Sequence, residues 1–200
     1  MNKQHILRYL QSIIAIPMLA VVVPLTGVSS IPSLAVTNST LSEKNSVITA
    51  QEEVERKEQI ELEAERKEKA AQVDEFFESY GAPLKGYGMK FVIEAEKNNI
   101  DWRLLPAISI LESTGGKHAC KRVPNSVFGY GSCKISFKSI DESIEIITGS
   151  LGGNNPNTAH HYDNKTTLQI LKKYNSVIPT YSKEIVRIMK KINDDGKEIV

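Results

Sequence analysis

The chain lacks an excess of either charge: 25 Lys and Arg residues face 24 Asp and Glu residues among 200, a formal net charge of +1. Proteins dedicated to nucleic acids carry a marked positive excess, because they must neutralise phosphates. We therefore expect no nucleic-acid partner.

Cysteine is scarce, with only Cys120 and Cys133 present. A structural metal site usually needs four ligands, and these two thiols have only His118 close by in the sequence, while His160 and His161 lie in a different segment. We expect neither a metal nor another cofactor. In an oxidising compartment the two cysteines are predicted to form a disulfide, stabilising the fold by about 3 kcal/mol.

A long uninterrupted apolar run is missing too. The N-terminal run Ile13–Val28 is broken by Pro17 and Pro24, and is short for a stable membrane span. It follows a basic start and leads to the small-x-small sequence Ser33-Leu34-Ala35, which is typical of a signal cleavage site. Residues 1–35 are therefore predicted to be a secretory signal peptide, with an uncleaved anchor as the alternative.

Composition divides the rest of the chain into three parts. Residues 36–50 are polar without a hydrophobic period, which predicts a flexible linker. Residues 51–73 are rich in Glu, Lys, Arg, Gln and Ala, which predicts a charged helical stalk. Its apolar residues are too sparse for a sustained heptad seam, so a coiled-coil oligomer is possible but not favoured. Residues 74–200 have globular composition and form one predicted domain.

This domain is predicted to be mainly α. Hydrophobic periodicity and capping residues predict five helices: Tyr87–Asn98, a helix capped by Asp101 that carries Glu112, a helix from Ser139 to Leu151, Thr166–Tyr174 and Tyr181–Ile192. The alternating, glycine-flanked segment Tyr130–Phe137 predicts a short strand or one arm of a small β-hairpin.

Glu112 is the most informative single residue. It follows the apolar helical run Leu104–Leu111 and precedes the glycine pair Gly115-Gly116, which should end the helix. A carboxyl group in such surroundings should be partly withdrawn from water, and this favours its protonated form. The pattern indicates a general acid, with a merely solvated helix-terminal glutamate as the plain alternative.

Residues after Glu112 suggest a sugar-binding surface. Ser113 and Thr114 supply hydroxyl groups, and Gly115-Gly116 would let the backbone approach a ligand closely. The loop Asn125–Gly131 combines spaced glycines with aromatic rings on which a sugar can stack, and a disulfide would brace it. The candidate substrate-binding residues are Ser113, Thr114, Asn125, Phe128, Gly129 and Tyr130.

Short motifs in a consistent order carry a family resemblance over about residues 80–193: Ala82–Gly88, Asn99–Ile108, Leu111–Lys117, Phe128–Gly131 and Phe137–Ser139. Together they resemble the glucosaminidase branch of the lysozyme-like superfamily. That branch is the mannosyl-glycoprotein endo-β-N-acetylglucosaminidase-like domain, related to family 73 glycoside hydrolases.

The resemblance implies a lysozyme-like helical domain with a small β-hairpin. It implies a secreted or cell-envelope bacterial enzyme whose partner is the glycan strand of peptidoglycan. The reaction would be cleavage of the β-1,4 bond between N-acetylglucosamine and N-acetylmuramic acid, with Glu112 as catalytic acid. Tyr174 matches a tyrosine that lies near the sugar at the cleavage point in such enzymes, and is the second candidate catalytic residue.

Three departures leave the outcome of the reaction open. Ser126 stands where asparagine is usual, Tyr130 stands where tryptophan is frequent, and no acid lies between Glu112 and Asp141. Asp163 is the remaining candidate for a second carboxylate. Without one, the chain could be a hydrolase assisted by the substrate's N-acetyl group or by a held water, a lytic transglycosylase, or a peptidoglycan-binding module without activity.

Overall fold

The prediction of a mainly α domain is confirmed for the residues that the structure describes. A computed structural model describes residues 37–196 and residue 199, and among these it contains helices and turns but no strand. The helices are α1 (Thr37–Ser79), α2 (Gly88–Lys97), α3 (Leu104–Ser113), α4 (Ile140–Leu151), α5 (Ala159–Tyr162), α6 (Thr167–Tyr174) and α7 (Tyr181–Ile192), with a short 3₁₀ segment at Tyr130–Cys133. The five helices predicted from periodicity correspond to α2, α3, α4, α6 and α7.

Helix α1 is longer than the predicted stalk at both ends. It begins at Thr37, so most of the predicted linker is helical in the structure. Adding residues to an existing helix costs little compared with starting one, which explains how weak helix formers extend it. The predicted signal peptide lies outside the described residues. None of the described helices is both long enough and apolar enough to span a membrane.

The C-terminal part of α1 belongs to the globular core. Ala70, Val73, Phe76 and Phe77 are buried, so the packed domain begins inside the segment predicted as stalk. The chain packs closely at Gly88, where a β-carbon would collide with the backbone carbonyl of Ala70. A larger residue at the start of α2 would push the two helices apart.

Helix α3 is the centre of the domain. Every residue from Leu104 to Ile110 is buried, and the helix packs mainly against α7, while α2 packs against α4. The predicted N-cap differs from the observed one, which is Arg103. Asp101 instead accepts hydrogen bonds from the backbone and the side chain of Arg103, at 2.9 Å and 3.0 Å for Oδ1.

The predicted strand at Tyr130–Phe137 is wrong for this structure. Gly129, Gly131, Ser132 and Cys133 all have positive φ values between 55° and 64°, which lie far from extended backbone. The disulfide between Cys120 and Cys133 is present, with the two Cα atoms 5.8 Å apart. The segment is thus a braced loop rather than a hairpin arm.

Candidate active site

Glu112 lies in the last turn of α3, where the helix leaves the core. Thr114, in the left-handed conformation at φ 53°, ends the helix. Glu112 is exposed, so the expectation that its carboxyl group is partly withdrawn from water is wrong. The reason is geometric: the apolar face of α3 is directed into the core, whereas Leu111 and Glu112 emerge on the outer side.

Tyr181 holds the Glu112 carboxylate. Its hydroxyl donates a hydrogen bond to Glu112 Oε1 at 2.8 Å, although 69 residues separate the two in sequence. Tyr181 is the first residue of α7 and only 2% exposed. Burial, reinforced by the nearby Glu112 charge, raises the pKa of Tyr181 above its ordinary value of 10.0, so its phenol stays protonated and keeps donating.

Tyr174 lies beside this pair but does not bond to the carboxylate. Its hydroxyl donates to the backbone carbonyl of Phe128 at 2.6 Å. Its ring stacks on Tyr181 with centroids 6.0 Å apart and lies 6.2 Å from the Tyr130 ring. Burial first, and the Glu112 charge second, raise the pKa of Tyr174 well above 10.0. The tyrosine therefore fastens α6 to the loop that faces Glu112.

Gly129 allows that loop to approach the carboxylate. Its φ of +64° suits glycine, and a β-carbon built on it would lie 2.6 Å from Glu112 Oε2. No other residue type fits without moving the carboxyl group. The two carboxylate oxygens thus have different neighbours: Oε1 accepts from Tyr181, and Oε2 lies next to the Gly129 backbone.

An open cleft of about 460 Å³ lies over Glu112. Its walls are Glu112, the loop residues Gly129–Ser132, Tyr162, Tyr174 and the connection Asn175–Ile178. Val177 and Ile178 are 85% and 49% exposed, giving the rim an apolar edge. Tyr162 is buried in the wall, and burial raises its pKa to about 12. The cleft thus combines one carboxylate with neutral phenols and a partly apolar rim.

Only two of the six predicted binding residues, Gly129 and Tyr130, line this cleft. The Ser113 hydroxyl is buried and donates to the carbonyl of Val127 at 2.5 Å. Asn125 donates its amide to the carbonyl of Phe137 at 2.8 Å, and Phe128 is fully buried in the core. These three side chains hold the loop in place.

Gly115, the first of the two glycines after Glu112, serves packing. A β-carbon on Gly115 would lie 2.5 Å from the Ala82 β-carbon and 3.3 Å from Phe77, so this backbone approaches the core and not a ligand. Thr114, the remaining predicted binding residue, is partly exposed at the helix end and does not line the cleft.

Glu112 is the only carboxylate among the described residues that line the cleft. Asp163 borders a separate depression of about 90 Å³ beside Asn98 and Gly152. No group of three metal-ligating side chains occurs in the part of the chain that the structure describes. The site offers proton transfer and hydrogen bonding by one acid and several phenols.

Sequence reasoning missed Tyr181 and Tyr162. Tyr181 shares the spacing of Ile185, Met189 and Ile192, which are buried on α7, so its position predicts a core residue. Tyr162 lies on the four-residue helix α5, which is too short for a periodic signal. The available sequence signal was the motif resemblance around Tyr174, and it indicated Tyr174 but not Tyr181.

Comparison with known proteins identifies no relative: no family model, no curated protein and no solved structure matches this chain.

Proposed function

We propose that this protein is a secreted glycosidase that cleaves the β-1,4 bond between N-acetylglucosamine and N-acetylmuramic acid in peptidoglycan. Glu112 acts as the general acid that protonates the leaving oxygen. The observation that carries the proposal is the position of Glu112, which lines an open cleft beside tyrosines and has one carboxylate oxygen held by Tyr181. The motif resemblance in the sequence supports the same substrate.

The geometry suits this chemistry in two ways. The hydrogen bond from Tyr181 to Oε1 fixes the orientation of the carboxyl group, and orientation of a reacting group lowers the entropic part of a barrier. The phenol rings, including that of Tyr130, and the apolar rim line the cleft. They offer faces on which the apolar side of a sugar ring can lie. An elongated glycan can lie in this cleft because it is open to solvent.

With a single carboxylate among the described residues of the cleft, another group must attack the anomeric carbon. Retaining and inverting glycosidases usually use two carboxyl groups, and the described cleft residues include one. Attack on the anomeric carbon by the substrate's own N-acetyl oxygen supplies the missing nucleophile, and water then opens the resulting ring. The same arrangement favours one alternative, a lytic transglycosylase, in which a hydroxyl of the muramic acid attacks and leaves an anhydro sugar.

The test uses the purified full chain and insoluble peptidoglycan, and it measures soluble fragments released over time. Wild type should release fragments, and Glu112→Gln should reduce the rate at least a hundredfold because it cannot donate a proton. Glu145→Gln is the control, since Glu145 is an exposed carboxylate on α4 that does not line the cleft. Equal release by wild type and Glu112→Gln, or sedimentation with the wall and no release by wild type, would contradict the assignment.

A further inference from the structure

The segment between α3 and α4 carries positive charges and no negative ones. Residues 114–139 contain five Lys and Arg residues and no Asp or Glu: Lys117, Lys121, Arg122, Lys134 and Lys138. All five are exposed. Lys138 lies 3.7 Å from Glu142, whereas the other four form no ion pair with any residue that the structure describes. Their positive charge is therefore available to a partner.

The disulfide gathers these charges from two parts of the segment. Lys121 and Arg122 follow Cys120, and Lys134 follows Cys133. Because the bonded cysteines have Cα atoms 5.8 Å apart, the Cα atoms of Lys121 and Lys134 lie no more than about 13 Å apart. We refer to Lys121, Arg122 and Lys134 as the basic loop surface.

This surface continues from the wall of the cleft. Gly129–Ser132 line the cleft, and Cys133 and Lys134 follow directly along the chain. Lys134 is thus two residues from a cleft wall, and the disulfide keeps the backbone of Lys121 and Arg122 close to that of Lys134. A group attached to a glycan in the cleft could reach these cations.

The exposure of the cations determines what kind of partner they can hold. A single exposed ion pair is weak and is screened by salt, so one isolated anion would gain little there. A polymer with a fixed negative charge on every repeat engages several cations at once and releases counterions, which makes binding measurable.

We propose that the basic loop surface binds a linear phosphodiester polymer of the kind attached to wall glycans, and that it thereby directs the cleft to glycan that carries this polymer. The inference rests on the proposed function only in locating the polymer on the glycan that enters the cleft. Lys and Arg are both suited to phosphate, Arg through paired hydrogen bonds and Lys as a point charge.

The experiment measures binding of soluble poly(glycerol phosphate) to the full chain as a function of salt. The triple variant Lys121→Gln, Arg122→Gln, Lys134→Gln should weaken binding about tenfold and flatten the salt dependence. The matched control is Lys183→Gln, Arg187→Gln, Lys190→Gln, which removes three cations that are also exposed, from α7, and should stay within twofold of wild type. Soluble polymer needs no glycan cleavage, so this result is independent of the Glu112 test.

Three results would overturn the inference. The first is wild-type chain that does not bind the polymer at low salt. The second is equal weakening by both triple variants, which would mean that only overall charge matters. The third is binding of poly-glutamate as tight as that of the phosphodiester polymer, because carboxylates would then serve equally well.

Discussion

The contact between Glu112 and Tyr181 sets the chemistry of the site at the residue scale. A phenol that stays protonated can always donate to the carboxylate, and burial keeps Tyr181 in that form. The glutamate is exposed, so its orientation comes from Tyr181 and from the close approach of Gly129 rather than from apolar surroundings. Tyr181 is therefore a positioning residue.

Replacing Tyr181 by Phe should lower kcat about tenfold to a hundredfold and leave KM within twofold. A hydrogen bond to a charged group contributes about 1.5–3 kcal/mol, and in the proposed reaction this one would act on Glu112 rather than on the sugar. Steady-state rates on a soluble glycan oligomer measure both constants. Tyr80→Phe is the control, because Tyr80 packs on Phe76 away from the cleft; a fall in kcat equal to that of Tyr181→Phe would show a general effect of tyrosine loss.

Alkaline pH should destabilise the fold through the buried tyrosines. The pKa of Tyr162 is about 12 in the folded chain against 10.0 ordinarily, and Tyr174 and Tyr181 are shifted in the same direction. The unfolded chain therefore loses phenol protons first, so this contribution to stability is complete below pH 10 and is lost progressively as pH rises toward 12 and beyond. Free energies of unfolding at pH 8 to 11 should fall above pH 10, and less steeply in Tyr162→Phe; parallel curves for the two proteins would disprove the assignment.

Prediction from sequence succeeded for residues whose position depends on neighbours along the chain, such as a residue at the end of a helix. The apolar run and the glycine pair predict that a helix ends just after Glu112, and the helix does end there, although Thr114 and not the glycines forms its cap. The burial of Glu112 was mispredicted because periodicity does not show where a helix emerges from the core. The polar groups of Ser113 and Asn125 predict contacts with a ligand, yet both bond to backbone carbonyls. Which partner a polar side chain finds depends on tertiary packing, and this is also why Tyr181 was missed.

At the scale of elements, the braced loop between α3 and α4 has the least regular structure near the site. Consecutive positive φ values at Gly131, Ser132 and Cys133 are unfavourable for the two residues that are not glycine. The disulfide ties this segment to Cys120, and Phe137 donates its backbone N–H to the carbonyl of Pro124 at 3.2 Å. The cleft wall thus depends on a cross-link that lies outside the helices.

Removing the disulfide in Cys120→Ser, Cys133→Ser should lower the free energy of unfolding by about 3 kcal/mol, the value expected for a closed loop of this length. Amide exchange should speed up most in residues 120–134, because the helices keep their own hydrogen bonds. Denaturant unfolding and hydrogen exchange check the two parts. Uniformly faster exchange across all helices would contradict a local role for the cross-link.

Helices α2, α3, α4, α6 and α7 were predictable because their hydrophobic periodicity or capping residues are visible in the sequence, whereas α5 is too short to show either. Ser139 caps α4 by accepting from the Glu142 N–H at 3.1 Å, and Thr166 with Gln169 forms a capping box at α6. The loop at Tyr130–Phe137 was not predictable. An alternating pattern suggests a strand, but it does not show whether a partner strand is present. A disulfide and residues with positive φ values give this segment its loop conformation instead.

At the scale of the whole molecule, α1 links a charged, exposed segment to the core of the domain. Residues 51–65 are exposed, whereas Val73 and Phe77 are completely buried. Arg66 also bonds to Glu96 of α2, with Nε 2.6 Å from Oε2. The boundary of the folded unit therefore lies within α1, before residue 74 where composition placed it.

Substitutions along α1 should show this boundary directly. Phe77→Ala should reduce the free energy of unfolding by about 3–5 kcal/mol, because it removes a fully buried ring. Ile60→Ala, at a position that is 59% exposed, should change it by less than about 0.5 kcal/mol. Denaturant unfolding of both variants measures the difference, and a large loss from Ile60→Ala would show that the outer part of α1 packs against something.

The most direct test of the whole account is mass spectrometry of peptidoglycan digested by the full chain, with Glu112→Gln in parallel. Wild type should yield fragments with new sugar ends produced at the β-1,4 bond, and Glu112→Gln should yield almost none. A reducing end would identify a hydrolase and an anhydro end a lytic transglycosylase, both through Glu112. No new ends from wild type, or the same ends at the same rate from Glu112→Gln, would contradict the central claim that Glu112 is the proton donor of a wall glycosidase.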